Sequence, residues 1–316
     1  MRENLAGGIR FFFFFAEISA KNLKNLSQAE RHGTDRERSR DRRAEPATMA
    51  DRRAGRGRSR DEGPEGWSFR GSAHYQFHLV RSSVARQFVP PDLPLVELAG
   101  YTLGGFYYAN YADSPAGRMD ELVVLSGLVW NAPTSCAWAS HVFVDRRSAV
   151  SHGRRVFGLP SRLSTIRQRR AVQGGGEVVA VESGGGPIVE LRRKARPSAL
   201  KGPKISFQLP SFSGRTKHKP DLLKYDLDLS ATIQPCTGYE VSLPASRGSS
   251  KAGSALAAQV GSILSGKMLA SLSFKNMSMH VKRPEVFAKN EKKGSAPIGV
   301  PKRRRAGSAK ISSVQT

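Results

Sequence analysis

The sequence predicts a mainly β (α+β) fold with an antiparallel sheet and few helices. Between residues 67 and 283, about nine or ten segments alternate or run apolar as strands do, whereas two or three have a helical pattern. No strand–helix–strand rhythm runs through the chain, which argues against a parallel sheet. Closure into a barrel, or stacking into a sandwich, hides the edges of so many strands. We therefore predict one closed or nearly closed antiparallel domain over 67–283.

The first half of this domain contains the clearest helix. It covers residues 147–158, where Ser148 is placed to cap the start, Gly158 suits a left-handed stop and Pro160 blocks continuation. A shorter helix over 83–90 ends at prolines. The predicted strands are 72–80, a bent strand or two strands over 93–112, 120–130 and 135–145.

The second half of the domain reads as a series of hairpins separated by glycine clusters. Its predicted strands are 162–170, 177–183, 187–193, 205–214, 222–235 and 269–281. A Ser/Gly-rich segment over 237–254 is predicted to be a flexible loop.

Both ends of the chain are polar and highly charged. Residues 1–66 and 284–316 lack an apolar period, so we predict that they are disordered. Composition favours Met49 as the natural start, with residues 1–48 an upstream extension. The basic run 302–305 is either a solvated charge run or an anion or nuclear-import patch.

The formal net charge of +25 favours anionic partners, although a general bias towards arginine explains it equally well. No aromatic-plus-basic signature predicts specific nucleic-acid binding, and no apolar run is long enough for a transmembrane segment. Cys136 and Cys236 lack metal-ligand or disulfide-framework spacing, and the histidines share no metal spacing. We therefore predict no metal site and no cofactor.

The stretch "GRRVFGLPSRL", residues 153–163, gives the first family resemblance. It resembles the acetoacetate decarboxylase superfamily segment written Gly-Arg-Glu, a few residues, Pro-Lys-Lys. The resemblance implies a closed antiparallel barrel or cone with an internal cavity. It also implies a Schiff-base lysine directly after the proline, followed by a second lysine whose charge lowers the pKa of the first. Here those positions are Ser161 and Arg162, and no lysine lies between residues 25 and 193, so imine-type decarboxylation is disfavoured.

A second resemblance covers about 67–235 and the last strand. The runs "GYTLGGF", "DSPAG", "PTSCAWA" and "DLLKY" are similar to those of the plant neoxanthin-deficient protein family. That resemblance implies a role in forming neoxanthin, a xanthophyll upstream of abscisic acid, and a xanthophyll-pathway enzyme as a partner. The pathway points to the plastid, but the acid-containing leader is unlike a transit peptide, so the cytoplasm stays open.

These observations leave three hypotheses. In the first, an apolar or isoprenoid-like ligand binds between apolar walls, without imine chemistry. In the second, the chain is a carotenoid epoxide isomerase or lyase. Glu121 is its acid or base, Arg154 or Arg162 holds charge, and Ser161 fills the lysine position. In the third, a basic surface docks on an acidic partner or anionic lipid. The predicted wall residues are Phe106, Tyr108, Val124, Leu128, Trp130 and Trp138.

Overall fold

The computed structural model describes residues 66–131, 134–171, 176–194, 202–243 and 250–287. Most of the two predicted disordered ends therefore lies outside the described residues. The strands are β1 (Trp67–Arg81), β2 (Tyr101–Asp113), β3 (Met119–Asn131), β4 (Thr134–Val144), β5 (Ser161–Leu163), β6 (Thr165–Arg170), β7 (Glu177–Ser183), β8 (Gly186–Arg193), β9 (Lys204–Thr216), β10 (Lys219–Pro235), β11 (Glu240–Ser242), β12 (Met268–Val281) and β13 (Glu285–Val286). The helices are α1 (Ser82–Ala85), α2 (Arg147–Val156) and α3 (Lys251–Leu264).

Nine strands form a large curled sheet. Their order is β13-β10-β12-β1-β2-β3-β4-β5, and β9 pairs with β10 beside this path. Every ladder of this sheet is antiparallel except the short one between β4 and β5. The mainly β, antiparallel prediction is confirmed.

The predicted closure of the sheet is not seen. The sheet curls into a half-barrel, and in the described residues no hydrogen-bonded ladder joins β9 to β4 or β5. The last strand of the sheet, β5, is only three residues long. The strands after it build a second sheet instead.

This second sheet has four strands in the order β11-β8-β7-β6. The predicted strand 162–170 divides at Ser164, with β5 in the large sheet and β6 in the small one. The β7–β8 hairpin turns through Gly184 and Gly185, whose φ values of 64° and 83° suit glycine. The predicted hairpin over 177–193 is confirmed.

Two details of the helices correct the sequence analysis. Ser148 does not cap α2, because the helix starts one residue earlier and its N-cap, Arg146, makes no side-chain cap bond. The segment 237–254 is not one loop, since it contains β11 and the start of α3. Ser250 caps α3, because its side chain accepts a hydrogen bond from the backbone N–H of Gly253. The predicted stop at Gly158 is confirmed by its φ of 61°.

The core lies on both faces of the large sheet. On the outer face, α3 packs between the large sheet and the small sheet and buries Leu256, Val260 and Ile263. Each such side chain contributes roughly 1.5–3 kcal/mol on burial. A second apolar cluster fills part of the concave face. In the described residues, no helix has the length and apolar character to cross a membrane.

Candidate functional site

The concave face of the large sheet carries a group of tyrosines. Alternate residues of β2 point away from α3, so Tyr107 and Tyr111 face the concave side. Tyr75 of β1 and Tyr225 of β10 pack against the same cluster. Burial raises the pKa of Tyr75, Tyr107 and Tyr225, yet all three stay only half-buried by accessible area.

Glu121 of β3 is the acidic group on this concave face. It lies opposite Ala109 of β2, whose small side chain leaves room beside the carboxylate. The hydroxyl of Tyr111 donates to Glu121 Oε2 at 3.0 Å. The hydroxyl of Tyr107 lies 3.4 Å from that of Tyr111 and 3.3 Å from the Sδ of Met277. A chain of polar contacts thus extends from the carboxylate of Glu121 through the two tyrosine hydroxyls along the concave face.

Burial raises the pKa of Glu121 to about 7, and the hydrogen bond from Tyr111 opposes the rise only in part. Glu121 forms no ion pair within the described part of the chain. Near neutral pH both the protonated and the ionised forms are therefore populated. Such a carboxyl can both donate and accept a proton.

Ser161 faces the same interior. It pairs with Val142 in the parallel β4–β5 ladder, and Val142 belongs to the concave cluster. Ser161 is buried, and its Oγ would lie 2.6 Å from a Cβ placed on Gly153 of α2. Gly153 therefore allows α2 to approach β5 closely. The structure brings Ser161 and Glu121 to one face of the sheet.

The two arginines of the sequence hypothesis lie elsewhere. The Nε of Arg154 donates to the backbone oxygen of Ser161 at 2.8 Å, so this side chain holds β5 against α2. Arg162 is exposed and pairs in the ladder with Phe143, which belongs to the outer-face cluster. Neither guanidinium contacts Glu121 among the described contacts.

The lysines of the described residues are all exposed or half-buried. The half-buried pair are Lys219 and Lys224, and the ammonium of Lys224 lies 5.6 Å from the ring centre of Phe287. A Schiff-base lysine needs desolvation or a neighbouring cation to be nucleophilic at neutral pH. The concave face provides no such buried amine in the residues that the structure describes. Those residues also contain no cluster of three metal-ligating side chains.

Comparison with known proteins identifies the family. A family model described as acetoacetate decarboxylase (ADC) matches residues 56–249. The chain belongs to the acetoacetate decarboxylase family. Among its relatives, Protein NEOXANTHIN-DEFICIENT 1 of Oryza sativa subsp. japonica is 38% identical over 72% of this chain and 90% of its own length. The protein of that name from Arabidopsis thaliana is 40% identical over 54% of this chain and 71% of its own length. The chain thus groups with the neoxanthin-deficient proteins of this family.

Solved structures include distant acetoacetate decarboxylases. The crystal structure of acetoacetate decarboxylase from Legionella pneumophila is 13% identical, with a TM-score of 0.49, and covers 71% of this chain and 87% of that one. The mostly β architecture and the family assignment agree with the resemblance that the segment 153–163 indicated.

The predicted wall residues of the family-type cavity divide between the two faces. Phe106, Tyr108, Val124 and Trp138 are buried on the outer face, in the cluster that contains α3. Leu128 lies in the concave cluster. Trp130 is half-buried and belongs to neither cluster. The β-bulges of β3 between Val124 and Gly127 change which residues face inward, and alternation alone does not show them.

Sequence reasoning missed the tyrosines of the concave face. Their signal was present in β2, where Tyr107, Ala109 and Tyr111 alternate and share one face. The same alternation in β10 places Tyr225 inward. Tyrosines on the face of Glu121 indicate a polar interior within an apolar wall.

A second acidic group of this acetoacetate decarboxylase-family chain lies in the small sheet, at the start of β7. Glu177 of β7 forms an ion pair with Arg193 at 2.6 Å and accepts from the hydroxyl of Tyr239 at 2.8 Å. Although burial opposes it, these bonds and charges lower the pKa of Glu177. The Arg193 guanidinium also lies 5.1 Å from the ring centre of Tyr239. This cluster holds β7, β8 and the segment before β11 together.

Proposed function

We propose that this chain takes part in neoxanthin formation and binds an apolar, isoprenoid-like ligand on the concave face of the half-barrel, without forming an imine. The relatives named Protein NEOXANTHIN-DEFICIENT 1 support this pathway. The observation that carries the ligand proposal is the set of inward-facing side chains that are desolvated yet accessible. They are Tyr75, Tyr107, Glu121 and Tyr225.

The chemistry of this face suits a long apolar molecule with a few oxygens. Its aliphatic and aromatic side chains offer an apolar contact surface. The hydroxyl of Tyr107 and the carboxyl of Glu121, both partly accessible, supply hydrogen-bonding groups at one end. A xanthophyll such as violaxanthin or neoxanthin has this combination of a hydrocarbon chain and terminal oxygens.

The test is binding of violaxanthin and neoxanthin to the purified full chain, followed by pigment absorbance after gel filtration. Ala139→Phe places a ring on the concave face beside the cluster, and we expect it to weaken binding at least tenfold by filling the space. Ala258→Phe makes the same change on the exposed side of α3 and serves as the control. Wild-type chain that retains no more pigment than an unrelated protein of similar size would overturn the proposal.

A second candidate function is acid–base chemistry on a carotenoid epoxide. The raised pKa of Glu121 and its bond from Tyr111 favour it, because a protonated carboxyl can donate to an epoxide oxygen and its carboxylate can accept a proton later. Turnover of violaxanthin is measured by chromatography. We expect Glu121→Gln to abolish it and Ser161→Ala to preserve it; turnover that survives Glu121→Gln contradicts this function.

A separate experiment tests whether the chain forms an imine. The chain is incubated with a ketone substrate and borohydride, and the intact mass is determined. We expect no covalent adduct, because the described lysines are not desolvated on the concave face. A trapped adduct on any lysine would replace the proposal by imine catalysis.

A further inference from the structure

A surface groove beside α2 collects basic side chains. Its volume is about 600 Å³. Its walls come from α2, from β5 and from the turn between β9 and β10, and its lining residues are Arg147, Val150, Ser151, Arg154, Arg155, Leu163 and His218. Three arginines and a histidine thus line the groove, and no aspartate or glutamate is among the lining residues.

Two arginines of this groove differ from those of the small sheet. On β6, Arg167 pairs with Glu182 at 2.6 Å and Arg169 pairs with Glu190 at 3.0 Å. Within the described residues, Arg147 makes no ion pair, and Arg154 bonds to a backbone oxygen instead of an acid. The charge of the β6 arginines is thus locally neutralised, whereas that of Arg147 and Arg154 is not.

Helix stability does not account for the charge of Arg147, although the helix dipole favours Arg154 and Arg155 in the last turn of α2. Arg147 lies in the first turn of α2, where the helix dipole favours acidic residues, and this turn contains none. Burial, followed by the positive charges of Arg154 and Lys217, lowers the pKa of His218 across the groove. A bound anion would offset the positive charge of Arg147 at the start of the helix and the positive charges that act on His218.

The groove also has an apolar side. Val150 lines the groove and packs into the concave cluster, so one side chain borders both regions. Leu163 is 39% exposed at the groove wall. The lining residues include no tyrosine, tryptophan or phenylalanine, so base stacking has no platform there.

We propose that this groove docks the protein on an anionic lipid surface, with the arginines contacting phosphate headgroups and the exposed Leu163 facing the acyl boundary. Arginine is suited to phosphate by its planar set of donors, and clusters of basic residues bind anionic leaflets. This inference does not depend on the ligand of the concave face. It gives the chain a membrane-surface contact at the end of the half-barrel where Glu121 lies.

The test measures co-sedimentation of the full chain with vesicles of phosphatidylcholine alone or with about a third phosphatidylglycerol. We expect binding only to the anionic vesicles, and we expect it to fall as salt rises from about 0.05 to about 0.5 M. The double variant Arg147→Gln/Arg155→Gln should bind about ten- to thirtyfold more weakly. Its matched control is Arg167→Gln/Arg169→Gln, which removes the same charge from the small sheet and should bind as the wild type does.

The comparison of the two double variants decides the question, because both keep every other basic residue of the chain. Equal losses in the two variants would assign binding to total charge and overturn the proposal. Unchanged binding in the groove variant would overturn it as well. A loss of binding to single-stranded RNA without a loss on vesicles would assign the groove to nucleic acid instead. Xanthophyll binding in solution should stay unchanged in the groove variant. A failure of the membrane-docking proposal can therefore be told apart from a failure of the proposed ligand binding.

Discussion

Glu121 and Glu177 are two desolvated glutamates in one chain, and their pKa values move in opposite directions. Glu177 lies beside Arg193 and accepts from Tyr239, and its pKa is lowered despite burial. Glu121 has one hydrogen bond, from Tyr111, and its pKa rises to about 7. Desolvation is the largest influence on the pKa of both carboxyls and raises both. The opposite directions of the two pKa shifts therefore come from the hydrogen-bonding and charged partners of each carboxyl.

This comparison distinguishes a structural acid from a candidate functional one. The bonds of Glu177 connect β7, β8 and the segment before β11, so its charge serves the packing of the small sheet. Glu121 faces an accessible interior and, among the described residues, lacks a cation to hold it ionised. A fold that retains an unpaired carboxyl in such a place loses stability by doing so, which is typical of sites kept for chemistry or binding.

The largest expected effect comes from removing the charge of Glu121. Because the folded state keeps a proton that the unfolded chain has lost, stability of the wild type should fall as pH rises from about 4.5 to about 7. Glu121→Gln removes this loss and keeps an acceptor for Tyr111. We expect the variant to be more stable by up to about 3 kcal/mol at pH 8, with the gap closing near pH 4. Urea unfolding across this range measures it.

Glu97→Gln is the control for that experiment, since Glu97 is exposed, and it should change stability little at any pH. A gap between wild type and Glu121→Gln that is the same at pH 4 and pH 8 would show that the carboxyl is not desolvated.

The second effect has the opposite sign. Glu177→Gln leaves the charge of Arg193 without its counter-ion, and we expect a loss of about 2 kcal/mol in the free energy of unfolding at neutral pH. Both side chains are partly accessible, at 17% for Glu177 and 24% for Arg193, so the loss is smaller than for a fully buried pair. Since the pKa of Glu177 is lowered in the fold, the loss should shrink as pH falls below the ordinary carboxyl range.

Glu182→Gln is the matched control in the same sheet, because its pair with Arg167 is exposed. We expect less than about 0.5 kcal/mol there. A variant at Glu177 that gains stability, as Glu121→Gln should, would remove the contrast between the two glutamates.

Local patterns predicted most of the strands of this fold, and they failed where long-range packing decides. The alternation of β1, β7, β8 and β12 is visible in the sequence because one face of each is buried. The split at Ser164 is not visible, since the residues on both sides are extended and only the sheet that each joins differs. Closure of the barrel depends on whether β9 pairs with β4 or β5, which lie far from it in the sequence. Local patterns do not predict pairing between such distant strands.

The same limit applies to the site. The sequence singled out Glu121, but not which neighbours it has, because Tyr111 lies on another strand and β2–β3 register brings the two together. It missed α3, although Leu256, Val260 and Ile263 follow a helical spacing after the cap at Ser250. The prediction of Phe106 and Tyr108 as cavity-wall residues rests on their apolar and aromatic character alone, and in the fold both pack on the face that α3 covers.

The smallest expected effect tests the bond that connects Glu121 to the tyrosines. Tyr111→Phe removes the donor that favours the ionised carboxyl, so the pKa of Glu121 should rise further. We expect the variant to lose about 1 kcal/mol relative to wild type above pH 7, where the carboxylate is formed, and less at pH 5. Urea unfolding at the two pH values gives this difference. Tyr107→Phe makes the same chemical change without a bond to Glu121, and its effect should not vary with pH; a pH-dependent loss of equal size in both variants would mean that the Tyr111 bond does not tune the carboxyl.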